Sequence, residues 1–77
     1  MRIRQINLDD DSMPDTITVE MNRAEATYLT LLLGKQNGIT SEEVMRHGSV
    51  VGSEMYGCLT GELFNRFYDD GVDGARQ

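Results

Sequence analysis

The stretch Thr16-Ile17-Thr18-Val19-Glu20-Met21-Asn22-Arg23-Ala24-Glu25 contains the end of a strand and the start of a helix. From Thr16 to Met21 apolar and polar side chains alternate, which is the two-residue period of a strand with one apolar face. Asn22 is a good N-cap, and Glu25 can reach back to its backbone N–H to complete a capping box. The stretch therefore predicts a strand over 16–21 followed directly by a helix.

A second strand is predicted upstream, over residues 2–8, where Ile3, Ile6 and Leu8 alternate imperfectly with polar residues. The segment 9–15 between the strands is rich in charge and turn formers and predicts a loop. We expect the two strands to pair as an antiparallel hairpin.

Downstream, the first helix is predicted over 23–36, with Asn37-Gly38 as its left-handed stop. Its apolar residues cover most of the circumference and leave Thr27, Thr30 and Gly34 on the other face. We expect the apolar side to be covered from more than one direction.

Two further helices complete the chain. Thr40 and Glu43 repeat the capping pattern and predict a short helix over 41–47 that ends at Gly48, with Ile39 packed on Val44. A third helix is predicted from about 49–53 to Asp69. The prediction is an α+β fold: a short N-terminal β-hairpin or strand pair, then two longer α-helices with a short helix between them. Residues 1–70 form one domain and residues 71–77 a flexible C-terminal tail.

Small residues recur every four positions along the last helix, at Ser53, Gly57 and Gly61, and Phe64 and Tyr68 continue this face on an ideal wheel. A glycine inside a helix costs about 1 kcal/mol relative to alanine, so the stripe indicates a closely packed neighbour. A chain of this size has a small core. We predict that these five residues form a homodimer interface; the alternative is that the first helix fills the groove within one chain.

The chain has 7 basic and 13 acidic residues and a net charge of −6. This charge repels phosphate backbones and anionic membranes and attracts basic partners. We predict that a partner protein with a basic surface contacts the acidic residues, with solubility alone as the alternative explanation of the charge. The predicted contact residues are Asp9, Asp10, Asp11, Glu42 and Glu43.

The residue types that carry chemistry are sparse. His47 is the only histidine and Cys58 the only cysteine, so neither a zinc cage nor a nucleophile–base pair at a diagnostic spacing is indicated. His47 is interpreted as a favourable charge at a helix C-terminus, and the acidic segment 69–74 departs from the calcium-loop pattern. We expect a protein that is not an enzyme and holds no cofactor or metal. The single thiol and the lack of a long apolar run predict a cytoplasmic location without membrane contact.

Residues 17–29 and 38–46 resemble the ribbon-helix-helix repressors, in which a strand precedes a helix, a Gly-Ile-Thr/Ser turn and a second helix. The resemblance implies a dimer that reads the major groove with outward strand residues, here Thr16, Thr18 and Glu20. The glutamate and the net charge make nucleic acid the less favoured partner. DNA binding is therefore the alternative function.

The chain is also similar in style to small acidic bacteriophage proteins, through an Ile-Thr-Val-x-Met strand, a Glu-Ala-x-x-Leu helix and Tyr56-x-x-Leu59. This resemblance implies stoichiometric inhibition or sequestration of a host component, including anti-defence action in the host cytoplasm. A second alternative is an oligomeric sponge for a small nucleotide messenger. Its phosphates would face Arg2, Arg4, Arg23 or Arg46.

Overall fold

The computed structural model describes residues 1–76. A two-stranded hairpin precedes a series of helices, which confirms the predicted α+β class. The strands are β1 (Arg2–Leu8) and β2 (Pro14–Glu20). The helices are α1 (Arg23–Gly34), α2 (Gly38–Val44), α3 (Gly48–Cys58), α4 (Asn65–Phe67) and α5 (Val72–Ala75), and a π-helical segment, Leu59–Phe64, joins α3 to α4.

The predicted antiparallel hairpin is confirmed, and two bulges leave one of its faces apolar and the other polar. Ile3 lies opposite Val19 and Ile6 opposite Ile17, with a register shift at Arg4 between them. Because a bulge adds one residue to a strand, Ile3 and Ile6 share a face although they are three residues apart. A second shift, near Pro14, accompanies the last pair. One face therefore carries Ile3, Ile6, Leu8, Ile17 and Val19, and the other carries Gln5, Asn7, Thr16 and Thr18.

The turn of the hairpin is ordered by Asp9. One of its carboxylate oxygens accepts hydrogen bonds from the backbone N–H of Asp11 (2.9 Å) and of Met13 (3.0 Å). Ser12 adopts a left-handed conformation with φ 63°. Short polar side chains stabilise turns through such local bonds, so the acidic loop has a defined shape.

The junction between β2 and α1 is the predicted capping box, and it is confirmed. The Asn22 side chain accepts from the Glu25 N–H (2.8 Å), and the Asn22 N–H donates to the Glu25 carboxylate (3.1 Å). The amino group of Met1 also donates to this carboxylate, and the two bonds lower the pKa of Glu25. Only Met21 and Asn22 separate the strand from the helix, so the cap sets the angle between them.

The fully buried side of α1 is its small-residue side, and the predicted cover of the apolar side is only partial, with Leu29, Leu31 and Leu33 half-buried. Ala26, Thr27 and Thr30 are buried, whereas Tyr28 is 70% exposed and Leu32 43% exposed. The threonine hydroxyls are satisfied locally, because each donates 2.7 Å to the backbone carbonyl four residues earlier. Small side chains let the neighbouring helices approach closely. The helices therefore pack on the small-residue side of α1 and not on its larger apolar side chains.

The connection from α1 through α2 to α3 also differs from the prediction. Asn37 is extended and caps α2 through the Thr40 N–H (2.8 Å), so it starts a helix instead of ending one. Ile39 and Val44 are 75% and 72% exposed, and the expected staple is wrong. The helix ends at Val44, four residues before Gly48, which begins α3.

His47 lies at the N-cap position of α3 with φ 64°, so its interpretation as a charge at a helix C-terminus is wrong. The sharp corner between α2 and α3 requires a left-handed residue, and histidine tolerates this conformation better than most side chains.

The predicted last helix contains a π-helical turn from Leu59 to Phe64. Since π-type bonding adds a residue to each turn, an ideal α wheel misplaces the residues beyond Cys58. Glu62 and Arg66, four residues apart, form no ion pair among the described residues. Arg66 instead lies over the ring of Phe67, 5.5 Å from its centroid.

Residues beyond 70 contain secondary structure where a flexible tail was predicted. Gly71 is buried with φ 63°, and α5 contacts α1 and the π segment. Gln77, the last residue of the predicted tail, lies outside the described residues. The first helix is thus covered on its small-residue side by the C-terminal part of the chain.

The molecule is thin and open. Its extents are 44 × 31 × 17 Å and its radius of gyration is 14.2 Å, against about 11.5 Å for a compact chain of this length. The accessible surface is 6212 Å², roughly 1,500 Å² more than a folded monomer of 8.6 kDa exposes. Within the described part of the chain, no helix has the length and apolar character needed to cross a bilayer.

Candidate binding surfaces

The hairpin exposes both of its faces. All residues of β1 and β2 are exposed, and over residues 1–76 neither strand packs along a helix. The side chains on its aliphatic face are 40% to 59% exposed. An isolated two-stranded hairpin is at best marginally stable in water, so contacts within the hairpin alone contribute little to its stability. We call it the ribbon apolar face: Ile3, Ile6, Leu8, Ile17 and Val19.

A second uncovered apolar surface lies across α1 and α3. Two open clefts, of about 350 and 430 Å³, share Met21 and Leu29 and are lined mainly by apolar side chains. Glu54 and Cys58 also line the first cleft, and Glu25 lines the second. We call this surface the helical apolar face: Met21, Tyr28, Leu29, Met55 and Leu59.

The predicted small-residue interface is divided by the fold. A Cβ placed on Gly57 or Gly61 would meet nothing within 4 Å, so both glycines face open space. Phe64 is 2% exposed and packs inside the chain, with its ring centroid 6.3 Å from that of half-buried Tyr68. Phe64 therefore cannot offer its ring to a second copy, and the remaining interface stays a prediction.

Ser53 lies apart from these aromatic rings. It lines a more polar cleft between α3, α2 and the end of α1, together with Asn37, Ser41 and Tyr56. The π turn and the helix packing thus direct the five predicted residues into different surroundings.

The five predicted acidic contact residues also have different roles. Asp9 orders the hairpin turn, and the Glu42 carboxylate accepts from the Gly48 N–H (2.9 Å) and the Ser49 hydroxyl (3.3 Å). Asp10, Asp11 and Glu43 are exposed, and no hydrogen bond to their carboxylates is found in the described chain. These three remain free for an external partner.

Cys58 is exposed on the last turn of α3, and its thiol donates to the Glu62 carboxylate at 3.2 Å. The bond and the negative charge of Glu62 raise the pKa of the thiol. A raised pKa reduces the thiolate fraction near neutrality and makes the group a weaker nucleophile.

The arginines proposed to face phosphates lie on several elements. Arg2 and Arg4 belong to β1, Arg23 begins α1, and Arg46 lies between α2 and α3. Arg4 is 4.0 Å from the Glu20 carboxylate across the hairpin. Among residues 1–76 no group of three or more His, Cys, Asp or Glu side chains is arranged to hold a metal ion.

Comparison with protein-family models, curated proteins and solved structures found no match to this chain.

Sequence reasoning missed both apolar faces as candidate sites. The spacing of Ile3 and Ile6 breaks the alternation of a regular strand, and it was the available signal for a bulge that unites the aliphatic residues. The uncharged side of α1 was read correctly as apolar. Its exposure in the single chain had no signal in the sequence, because it depends on which face the later helices select.

Proposed function

We propose that this chain is a non-catalytic binding protein that acts by stoichiometric association with a protein that has a basic surface. The observation that supports this proposal is the hairpin, which is exposed along its whole length and ends in an ordered acidic turn. An exposed charged turn of fixed geometry is suited to contact with a basic surface of a partner.

The order of the turn contributes to this proposal. Because Asp9 holds the backbone of Asp11 and Met13, Asp10 and Asp11 are presented in a fixed geometry. Preorganised groups lose less conformational entropy on binding than mobile ones do. The net charge of −6 adds long-range attraction towards a basic target and accelerates association.

The proposed target is a component of a host cell, and the chain acts on it as a phage-type inhibitor or sequestering factor in the cytoplasm. The similarity to small acidic phage proteins supports a target in host defence. A basic nucleic-acid channel of a defence protein has the complementary charge.

The test is the plating efficiency of a restricted phage on strains that each carry one defence system and express the chain. We expect restored plating on at least one strain, and loss of that effect for Asp10→Asn/Asp11→Asn. The matched control is Asp69→Asn/Asp70→Asn, which removes the same charge from another exposed turn. Titration of the purified target should end at a fixed molar ratio; turnover at a trace amount of chain, or equal loss in both variants, would contradict the proposal.

DNA binding is the second candidate, and the polar face of the hairpin is the observation that favours it. This face presents Gln5, Asn7, Thr16 and Thr18, joined by hydrogen bonds of 2.8 Å from Gln5 to Asn7 and from Asn7 to Thr16. A two-stranded ribbon fits the major groove, where amide side chains read adenine. The order β2, α1, α2 also follows the strand-helix-helix order of the resembled repressors.

An electrophoretic shift with random-sequence duplexes at low salt separates the two candidates. A salt-dependent shift that is lost in Asn7→Ala would support DNA binding. No shift at low salt would reject it and leave the protein target as the proposed partner.

A further inference from the structure

We propose that two copies of this chain dock reciprocally, so that the ribbon apolar face of each copy covers the helical apolar face of the other. The inference concerns self-association and is independent of the proposed target. One chain has two apolar surfaces, the ribbon apolar face and the helical apolar face, and neither is covered by the rest of the chain.

The size of the uncovered surface indicates an obligate partner. The described residues that are both apolar and buried are only Ala26 and Phe64, and the chain exposes roughly 1,500 Å² beyond the area of a folded monomer of its mass. If two copies cover this excess, roughly 3,000 Å² is buried, which is in the range of obligate homodimers. A partner that supplies most of the core must be present whenever the chain folds. A second copy of the same chain meets this requirement.

The cap at the start of α1 explains why the two faces do not cover each other within one chain. Asn22 is held extended, at φ −79° and ψ 175°, by its two hydrogen bonds with Glu25. Only Met21 and Asn22 link β2 to α1, and the amino group of Met1 also binds Glu25, so the base of the ribbon is held at the start of α1 and neither strand packs along a helix among residues 1–76. In this arrangement the cover for each apolar face comes from another molecule.

The two faces consist of uncharged side chains, although the net charge of −6 opposes association of two copies. The charged groups at the base of the ribbon are already paired within one chain, because Arg4 lies 4.0 Å from the Glu20 carboxylate and the amino group of Met1 binds Glu25. The proposed contact is therefore mainly apolar.

A twofold axis accommodates both contacts at once, because each copy offers one ribbon and one helical face. The contact is isologous and closes at two copies. Each ribbon keeps its polar face and its acidic turn directed outwards, where they stay accessible to other partners.

The first test compares Ile17→Asn with Thr18→Asn by sedimentation equilibrium. These neighbouring residues lie on opposite faces of the same strand. Ile17→Asn should weaken the dimer about a hundredfold or more, since the symmetric contact loses the residue twice. Thr18→Asn should leave the dimer within about threefold of the parent.

The second test uses Cys58, which lines the helical apolar face, and does not depend on how well Ile17→Asn folds. Under mild oxidation with oxidised glutathione, Ile6→Cys and Ile17→Cys should form a covalent dimer through Cys58 of the other copy. Thr18→Cys should form far less, and adding Cys58→Ser to Ile17→Cys should abolish the linkage. Non-reducing mass spectrometry distinguishes this dimer from a disulfide within one chain.

Three results would overturn the proposal. One is a parent protein that stays monomeric at high concentration, and another is equal cross-linking from the two faces of the ribbon. The third is a dimer that survives Ile17→Asn but dissociates in Gly57→Leu, which would move the interface to the open glycines of α3 and the π segment.

Discussion

Asn22 is the residue at which the strand, the helix and the proposed assembly meet. Its side chain and backbone exchange hydrogen bonds with Glu25, and its extended conformation sets the direction of the hairpin. Glu25 also binds the amino group of Met1, so the base of the ribbon is fixed from both strands.

Replacing Asn22 tests this junction. Asn22→Ala should lower the free energy of unfolding by about 1 kcal/mol, because the Glu25 N–H loses its acceptor. Asn22→Ser keeps a capping oxygen and should stay within about 0.5 kcal/mol of the parent. Urea denaturation measures both variants, and an equal loss in the two would contradict the capping role.

Cys58 gives a prediction about pH. The neighbouring Glu62 carboxylate raises the pKa of the thiol, so the reactive thiolate forms at higher pH than in a free cysteine. Glu62→Gln removes the negative charge, lowers that pKa and should speed alkylation by iodoacetamide at a pH near the ordinary thiol value of about 8.5. Glu54→Gln is the control, as Glu54 makes no bond to the thiol in the described chain; faster alkylation in both variants would contradict a specific effect.

At the scale of elements, the corner between α2 and α3 shows how closely backbones can approach. A Cβ on Gly48 would lie 2.1 Å from the carbonyl oxygen of Ser41, whereas one on Gly52 would meet nothing within 4 Å. The left-handed His47 precedes this contact. The corner thus requires glycine at one position and tolerates a side chain one helical turn later.

The two glycines form a matched pair. Gly48→Ala should destabilise the fold by about 2 kcal/mol or more, because backbone must move to relieve the overlap. Gly52→Ala should stabilise it by about 0.5–1 kcal/mol, since alanine restricts the unfolded chain and favours the helix. Thermal unfolding of both variants checks the pair, and stabilisation by Gly48→Ala would refute the corner geometry.

The elements that could be predicted from the sequence are those set by local patterns. The strand predicted over 16–21 is present as β2, Pro14–Glu20, and the Asn22–Glu25 box is present as predicted, because both depend on neighbouring residues only. The π turn and the buried threonine side of α1 depend on how distant helices pack, which no local period encodes. Asn37 was assigned to the wrong helix because an asparagine before a glycine can end one helix or begin the next.

The candidate site was predictable to a similar extent. The apolar side of α1 and the exposed acidic residues were identified from composition and periodicity. The continuous ribbon apolar face requires the bulge at Arg4, and the separation of Phe64 from Gly57 and Gly61 follows from the π segment. Both are irregularities that an ideal strand or wheel omits.

At the scale of the whole molecule, the hairpin and the helices form two parts with little shared core. The chain is 44 Å long but only 17 Å thick in its shortest dimension. A second copy that places its ribbon on α1 and α3 would complete the missing contact. The absence of the second copy then explains both the thin shape and the exposed apolar faces of the single chain.

The most direct test of this account is the mass of the unmodified chain in solution, measured by light scattering over a wide range of concentrations. Reciprocal docking predicts twice the 8.6 kDa of one chain, unchanged on dilution to the micromolar range. A mass of one chain throughout, with a cooperative unfolding transition, would contradict the account, because the hairpin would then be stable with both of its faces in water.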